Sequence, residues 1–310
     1  MTFSVTVLGS SSALPTSQRF PSAHVLNAHE RLFLIDCAEG TQIQLRRFGL
    51  KLSRIDNIFI SHLHGDHVLG LVGLISTLNL LGRKNTLTIY AHAALQPILL
   101  QNLSFFVNDI QFTLEFRALD TKRNKVIFDD GKIIVESIPL KHRIASTGFI
   151  FREAEKQLNI KKEMIAQHDI SLSEIFKIKK GADFIANSGR VIPNSELTFK
   201  ASLPRSYAYC SDTKYFEKLA DYVRGVDLLY HEATFGNDML TMAKKTGHST
   251  AEQAAMIAKS ASVGKLMIGH FSSRYKSITN LLHEARSVFP NTVAANDGDT
   301  HTIDIKKPLD

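Results

Sequence analysis

The stretch FISHLHGDHVLGLVGL, residues 59–74, decides how the rest of the chain is read. An apolar run stops, three histidines and an aspartate follow within a few positions, and apolar residues then resume at helical spacing. Imidazole nitrogen and carboxylate oxygen are ligands for zinc and similar divalent ions. His62 and His64 lie two residues apart on an extended segment, so their side chains can point the same way and bind one ion. Asp66 and His67 are adjacent at a turn entering a helix and could serve a second ion nearby. A turn so rich in histidine is costly in apolar surroundings unless its polar groups are ligated or hydrogen-bonded.

Four residues cannot fill two coordination shells, because each ion wants about four ligands, one of them solvent at a catalytic site. Further ligands are expected at other strand ends. His142 follows SIPLK, Asp212 follows SYAYCS and His270 follows KLMIG, each directly after an apolar strand pattern. Strand C-termini are where α/β proteins build sites. The assignment is therefore His62, His64 and His142 around one ion, and Asp66, His67 and His270 around the other. Asp212 bridges them, since a carboxylate has two oxygens and can span the roughly 3.5–4 Å between paired ions. Two divalent ions per subunit are expected, and histidine with aspartate would serve Zn2+, Mn2+ or Fe2+ alike. His24, His29, His92, His168, His283 and His301 lack this context and read as surface or packing residues.

The 310 residues are 44% hydrophobic, enough for one large domain or two layers with an insertion. A charged fraction of 22% argues against wholesale disorder. No apolar stretch approaches a membrane span, so no membrane partner is expected. The opening MTFSVTVLGSSS lacks the features of a signal peptide and reads as a first strand. Two cysteines, Cys37 and Cys210, make no disulfide framework, which fits a reducing cytoplasm. A net charge of +7 favours polyanionic partners only weakly.

Strand patterns at FSVTVLG, RLFLID, NIFIS, LTIYA, KIIVESIPL, SYAYCS, VDLLYHEA and KLMIGHFS alternate with helical ones and argue for an α/β layered fold. EGTQIQLRRFGL should turn Ile43, Leu45 and Phe48 inward. VLGLVGLISTLNLLG, apolar nearly all round, should be buried. Helices are also expected at YFEKLADYVRG and TAEQAAMIAKSAS. Residues 153–198 are more polar and read as an insertion between two core halves. The cluster Lys177, Lys179 and Lys180 is its most basic point, and a solvated face is one reading of it.

His-x-His-x-Asp-His with these later ligands resembles the metallo-β-lactamase superfamily. YHEATF (230–235), GHSTAEQAA (247–255), DCAEGTQ (36–42, with Ala38 where glycine is usual) and HFSSRY (270–275) resemble motifs of the ribonuclease Z family within it. The likeness runs in order from residue 3 to about 300. It implies a four-layer αββα sandwich with a flexible inserted arm. It also implies a zinc-dependent endoribonuclease that removes the 3′ trailer of precursor tRNA, leaving a tRNA 3′-hydroxyl and a 5′-phosphate on the trailer. The length matches the short form, which implies a homodimer. The arm keeps Lys-x-Lys-Lys-Gly but lacks the Gly-Pro of short-form relatives, and the resemblance favours a phosphate-binding role for its lysines.

Asp66 would both ligate and accept a proton from the attacking water, as the resemblance also implies. His248, charged by Glu232, is the candidate donor to the leaving oxygen. Glu232 could instead orient His231 or cap a turn, and His248 could simply precede a helix capped by Ser249 with Glu252. Arg274 could clamp a phosphate with its fork of donors or serve in a surface salt bridge. The alternative activity is that of another hydrolase on the same scaffold, acting on small phosphodiesters or sulfate esters.

Overall fold

The computed structural model describes residues 1–107 and 109–307. The expectation of one domain over 1–310 also takes in residues 108 and 308–310, which lie outside the described residues. The chain divides into two compact units. One comprises Met1–Arg152 and Ser206–Ile303, the other Glu153–Arg205 with the chain from Asp304.

The first unit is built on two seven-stranded sheets. One contains β1 (Phe3–Gly9), β2 (Ala23–Ala28), β3 (Arg31–Ile35), β4 (Ile55–Phe59), β5 (Leu87–Ala91) and β6 (Leu114–Ala118) in that spatial order. The other contains β7 (Lys125–Asp129), β8 (Ile133–Pro139), β9 (Thr147–Glu153), β10 (Ser206–Cys210), β11 (Leu228–Glu232), β12 (Lys265–Gly269) and β13 (Thr292–Ala294), again side by side. β14 (Thr300–Thr302) returns to pair antiparallel with β1. Strands β3 to β6 run parallel, as do β10 to β13.

Strands buried on both faces read as continuous apolar runs rather than alternating ones. Phe33 and Ile35 of β3, Phe149 and Phe151 of β9, and Tyr207 and Tyr209 of β10 fill the space between the sheets. Leu32 and Leu34 turn outward under α1 (Thr41–Arg47), α3 (Leu71–Leu80) and α4 (Leu95–Phe106), with α2 (Gly65–Val68) a single turn ahead of α3. On the second sheet Ala208, Leu229 and Leu266 turn outward under α5 (Leu219–Tyr222), α7 (Ala251–Ser260) and α8 (Thr279–Val288). α6 (Leu240–Thr246) lies between β11 and α7 in sequence. The layers are helix, sheet, sheet, helix, with an apolar core at each interface.

Each expected strand forms, but several helical details differ. In α1 Leu45 is buried while Ile43 is 59% exposed. Gln44 takes an inward position because its amide donates to the Leu8 carbonyl at 2.7 Å, a bond that apolar periodicity cannot reveal. α3 buries only Leu71, Leu74, Ile75 and Leu78, and Leu80 is almost fully exposed. The helix expected over YFEKLADYVRG shrinks to one turn, Leu219–Tyr222. The cap of α7 is shifted by one residue: Thr250 and Gln253 bond each other's backbone N–H, whereas Ser249 is spent elsewhere, its hydroxyl donating to Thr213 O and its N–H to Glu232 Oε1. Among the described residues, no helix is long and apolar enough to cross a membrane.

The second unit has a small core of its own, made by Ile170, Ile178, Phe184, Ile192 and Leu197. Helices Lys162–His168, Leu172–Lys179 and Asn194–Leu197 and two short antiparallel strand pairs surround it. A capping box of Ser171 and Glu174 starts the middle helix. Glu153 and Arg205 join the two ends of this segment. The Arg205 guanidinium donates to Glu153 Oε2 at 3.0 Å and to Oε1 at 2.8 Å, with both side chains almost wholly buried. Removing one partner of a buried pair strands the other. Glu153→Ala should therefore lower unfolding free energy by about 3–5 kcal/mol in a urea titration followed by circular dichroism. A loss below about 1 kcal/mol, the range of exposed pairs, would show that the pair is not needed.

Candidate metal centre

The strand patterns end where the polar residues begin, and the fold gathers those ends at one edge of the sandwich. His62 follows β4, and His64, Asp66 and His67 lead through the single turn of α2. His142 follows β8, Asp212 follows β10, Glu232 ends β11 and His270 follows β12. All seven predicted ligands converge. Donor atoms of His62, His64, His142 and Asp212 lie within 4.8 Å of one another, as do those of Asp66, His67 and His270.

Asp212 stands between the two groups. Its Oδ2 lies 3.4 Å from His62 Nε2 and 3.6 Å from His142 Nε2. Its Oδ1 lies 3.4 Å from His67 Nε2 and 3.1 Å from His270 Nε2. Asp66 Oδ2 is 3.5 Å from the Nε2 atoms of both His67 and His270. His64 Nδ1 is 2.9 Å from His62 Nε2 and 3.3 Å from His142 Nε2.

Two observations test whether these residues fit divalent ions. First, nitrogen–zinc bonds of 2.0–2.1 Å in tetrahedral array put donors roughly 3.3 Å apart, and the separations above scatter about that value. Second, the Nε2 atoms of His67 and His270 are buried with no hydrogen-bond partner. Their other nitrogens are all engaged: His67 Nδ1 donates to Asp36 Oδ2 at 2.7 Å and His270 Nδ1 to Thr234 Oγ1 at 2.8 Å. His142 Nδ1 likewise donates to Gly247 O at 2.8 Å. Such bonds orient each ring with Nε2 aimed inward, the arrangement that metal-ligating histidines show, in which Nε2 gives up any proton to bind the ion. Gly247 adopts φ +79°, and a Cβ there would lie 3.0 Å from His142 Nδ1, so glycine suits this corner twice over. Burial, then the neighbouring imidazoles, push His64 down to about 4, which keeps its nitrogens free to ligate. The donor set therefore fits two hard or borderline cations.

The Glu232–His248 pair flanks this cluster. Burial works against charge at His248, but the Glu232 carboxylate 2.9 Å away outweighs it and lifts the group to about 9. Glu232 is itself buried and accepts from Thr213 N, Ser249 N, Thr234 N and Thr234 Oγ1. His231 belongs to none of the ligand groups: its Nδ1 lies 2.7 Å from Glu232 O. A cleft of about 500 Å³ opens over the cluster, lined by His64, Asp66, Asp212, His248, His270 and Arg274. Lys177 and Lys180 are exposed in the second unit, Lys179 half-buried, and Lys180 Nζ sits 4.1 Å from the Phe176 ring centroid.

Two contributors were not assigned from sequence. Asp36 holds His67 and accepts in addition from Ser61 N, Ser61 Oγ and Tyr209 OH. The signal was present, since Asp36 ends the apolar strand RLFLI just as Asp212 follows SYAYCS. Arg143, next to His142, lines the same cleft as Arg274.

Comparisons with known proteins agree with this geometry. A family described as Anti-Pycsar protein Apyc1 matches residues 3–154. The chain is 46% identical over 306 residues to the ribonuclease Z of Phocaeicola vulgatus, with 99% of each chain covered. It is 46% identical over 301 residues to that of Bacteroides thetaiotaomicron, covering 97% of this chain and 95% of the other. Among solved structures, short-form human tRNase Z matches with a TM-score of 0.70 at 27% identity, covering 97% of this chain and 100% of that one. The metallo-β-lactamase fold protein YhfI from Bacillus subtilis matches at 0.68 and 17% identity over 97% and 100%, a likeness of fold alone. With near-full-length identity to several curated members and the same four-layer sandwich, the chain belongs to the ribonuclease Z family of metallo-β-lactamase-fold proteins.

Proposed function

We propose that the protein is a zinc-dependent endonuclease that removes the 3′ trailer from precursor tRNA. The observation that carries this is the doubled ligand set split across Asp212, in a chain of this family. His62, His64 and His142 would hold one cation, and Asp66, His67 and His270 the other, with one Asp212 oxygen toward each. Such ions, when bound, neutralise phosphate charge and make a nearby water acidic enough to ionise near neutral pH.

The remaining steps belong to side chains. Asp66 takes the proton of the attacking water in this reading, and a new P–O bond forms as the bond from phosphorus to the discriminator 3′-oxygen breaks. His248, kept protonated by Glu232, delivers its proton to that leaving oxygen. The products are a tRNA 3′-hydroxyl and a trailer 5′-phosphate. Arg274 lines the cleft and presents a forked donor for a neighbouring phosphate. The second unit acts as the tRNA-gripping arm: Lys177, Lys179 and Lys180 meet backbone phosphates, with reading by shape rather than base edges. The two buried free thiols, Cys37 and Cys210, suit a reducing cytoplasm. A homodimer would cover exposed apolar side chains such as Leu80, Phe105 and Phe106.

Three experiments test the reading. A 3′-extended tRNA transcript should be cut after the discriminator base by zinc-loaded protein, and chelation should abolish the cut until zinc is restored. Cutting at scattered positions, or indifference to chelation, would refute it. Asp212→Ala should lower kcat/KM on that transcript on the order of 10³-fold or more, the loss of several kcal/mol of charge stabilisation. Unchanged cleavage would reject the bridging role. Deleting residues 155–195 should abolish tRNA cleavage while hydrolysis of a small chromogenic phosphodiester persists. If the intact chain cleaves only the small diester, the alternative small-substrate hydrolase is the better reading.

A further inference from the structure

The core between the sheets is largely aromatic, yet three hydroxyls are sealed inside it. Tyr207 and Tyr209 lie on β10 and Tyr230 on β11, all fully buried. Tyr207 and Tyr209 are two residues apart and so face the same way, toward the first sheet. Tyr207 OH lies 2.9 Å from Nδ1 of His24 on β2, whose burial pushes it down to about 3. Tyr209 OH donates at 2.8 Å to Asp36 Oδ2, the oxygen that also accepts from His67 Nδ1.

The other donors to Asp36, the backbone and hydroxyl of Ser61 and the ring of His67, all come from the loop after β4 and the α2 turn it leads into. Among the described residues, Tyr209 alone reaches it from the second sheet, on the strand that ends just before Asp212. Its ring is stacked on Tyr230, with centroids 4.8 Å apart and planes 7° from parallel. Tyr230 in turn lies across Gly269, where an added Cβ would meet the ring at 2.5 Å and its hydroxyl at 2.8 Å. Gly269 immediately precedes His270, so the stacked pair touches the carboxylate that holds His67 and the residue before His270.

We propose that Tyr209 is a positioning residue of the metal centre. Its hydroxyl, crossing from one sheet to the other, sets the Asp36 carboxylate and through it the ring of His67. Its stacked partner holds the strand end that presents His270. A carboxylate can swing about its own bond, so a donor from outside its own sheet registers the ligands of one sheet against those of the other. This inference rests on the metal-centre reading above.

Zinc affinity of the full-length protein, stripped of metal and titrated against a chromogenic chelator, tests it. Tyr209→Phe removes the hydroxyl and keeps the stacked ring. Tyr207→Phe removes an equally buried hydroxyl that touches His24 instead. The weaker of two zinc equivalents should bind about 10-fold less tightly in Tyr209→Phe, the scale of outer-shell effects, and within twofold of the unaltered protein in Tyr207→Phe. Melting of the metal-free protein should fall in both. Zinc affinity within twofold of normal in Tyr209→Phe, or equal losses in the two variants, would overturn the positioning role. An unaltered chain that takes up no zinc would overturn the metal centre itself, and the role with it.

Discussion

The centre depends on one buried carboxylate with a different set of neighbours at each oxygen. Asp212 is 2% exposed, and four imidazoles approach it, two on each side. A lone ionised carboxylate in that position would be prohibitively unstable without positive charge nearby. Two cations would satisfy it, and the same requirement accounts for the supporting cast. Asp36 and Glu232 are also fully buried, and each is saturated with donors from backbone and side chains.

The four-layer frame makes such a cluster possible because the strands that feed it end on the same edge. His62, His64, Asp66 and His67 arrive from the first sheet, His142, Asp212 and His270 from the second. Rigid strands place the backbone, and a few unusual torsions aim the side chains. Asp36 and His270 both hold left-handed backbone conformations, at φ 56° and 61°, which non-glycine residues avoid unless their surroundings compensate. Asp36 is held by its four donors, and His270 by its bond to Thr234.

Much of this was legible in the amino-acid order. Strands buried on both faces write themselves as unbroken apolar runs, so NIFI, SYAYC and KLMIG marked both the strands and the point where ligands begin. The histidine-rich turn after residue 61 could be read because few other roles tolerate that composition. Less legible were features decided by single hydrogen bonds. Gln44 enters the core through the Leu8 carbonyl, displacing Ile43 to solvent, and Ser249 leaves its cap to serve Glu232. Asp36 was missed as the partner of His67 because the contact forms only when the strands ending at residues 35 and 59 pair side by side, and Tyr209 was missed because it meets Asp36 only when the sheets stack, across 173 residues of chain.

The central claim is that two cations share Asp212 between ligand sets drawn from the two sheets. Anomalous diffraction from zinc-loaded crystals, collected on either side of the zinc absorption edge, tests it most directly. Two peaks are expected in each chain, about 3.5–4 Å apart, one beside His62, His64 and His142 and the other beside Asp66, His67 and His270, with Asp212 between them. A single peak, or peaks remote from Asp212, would contradict the account.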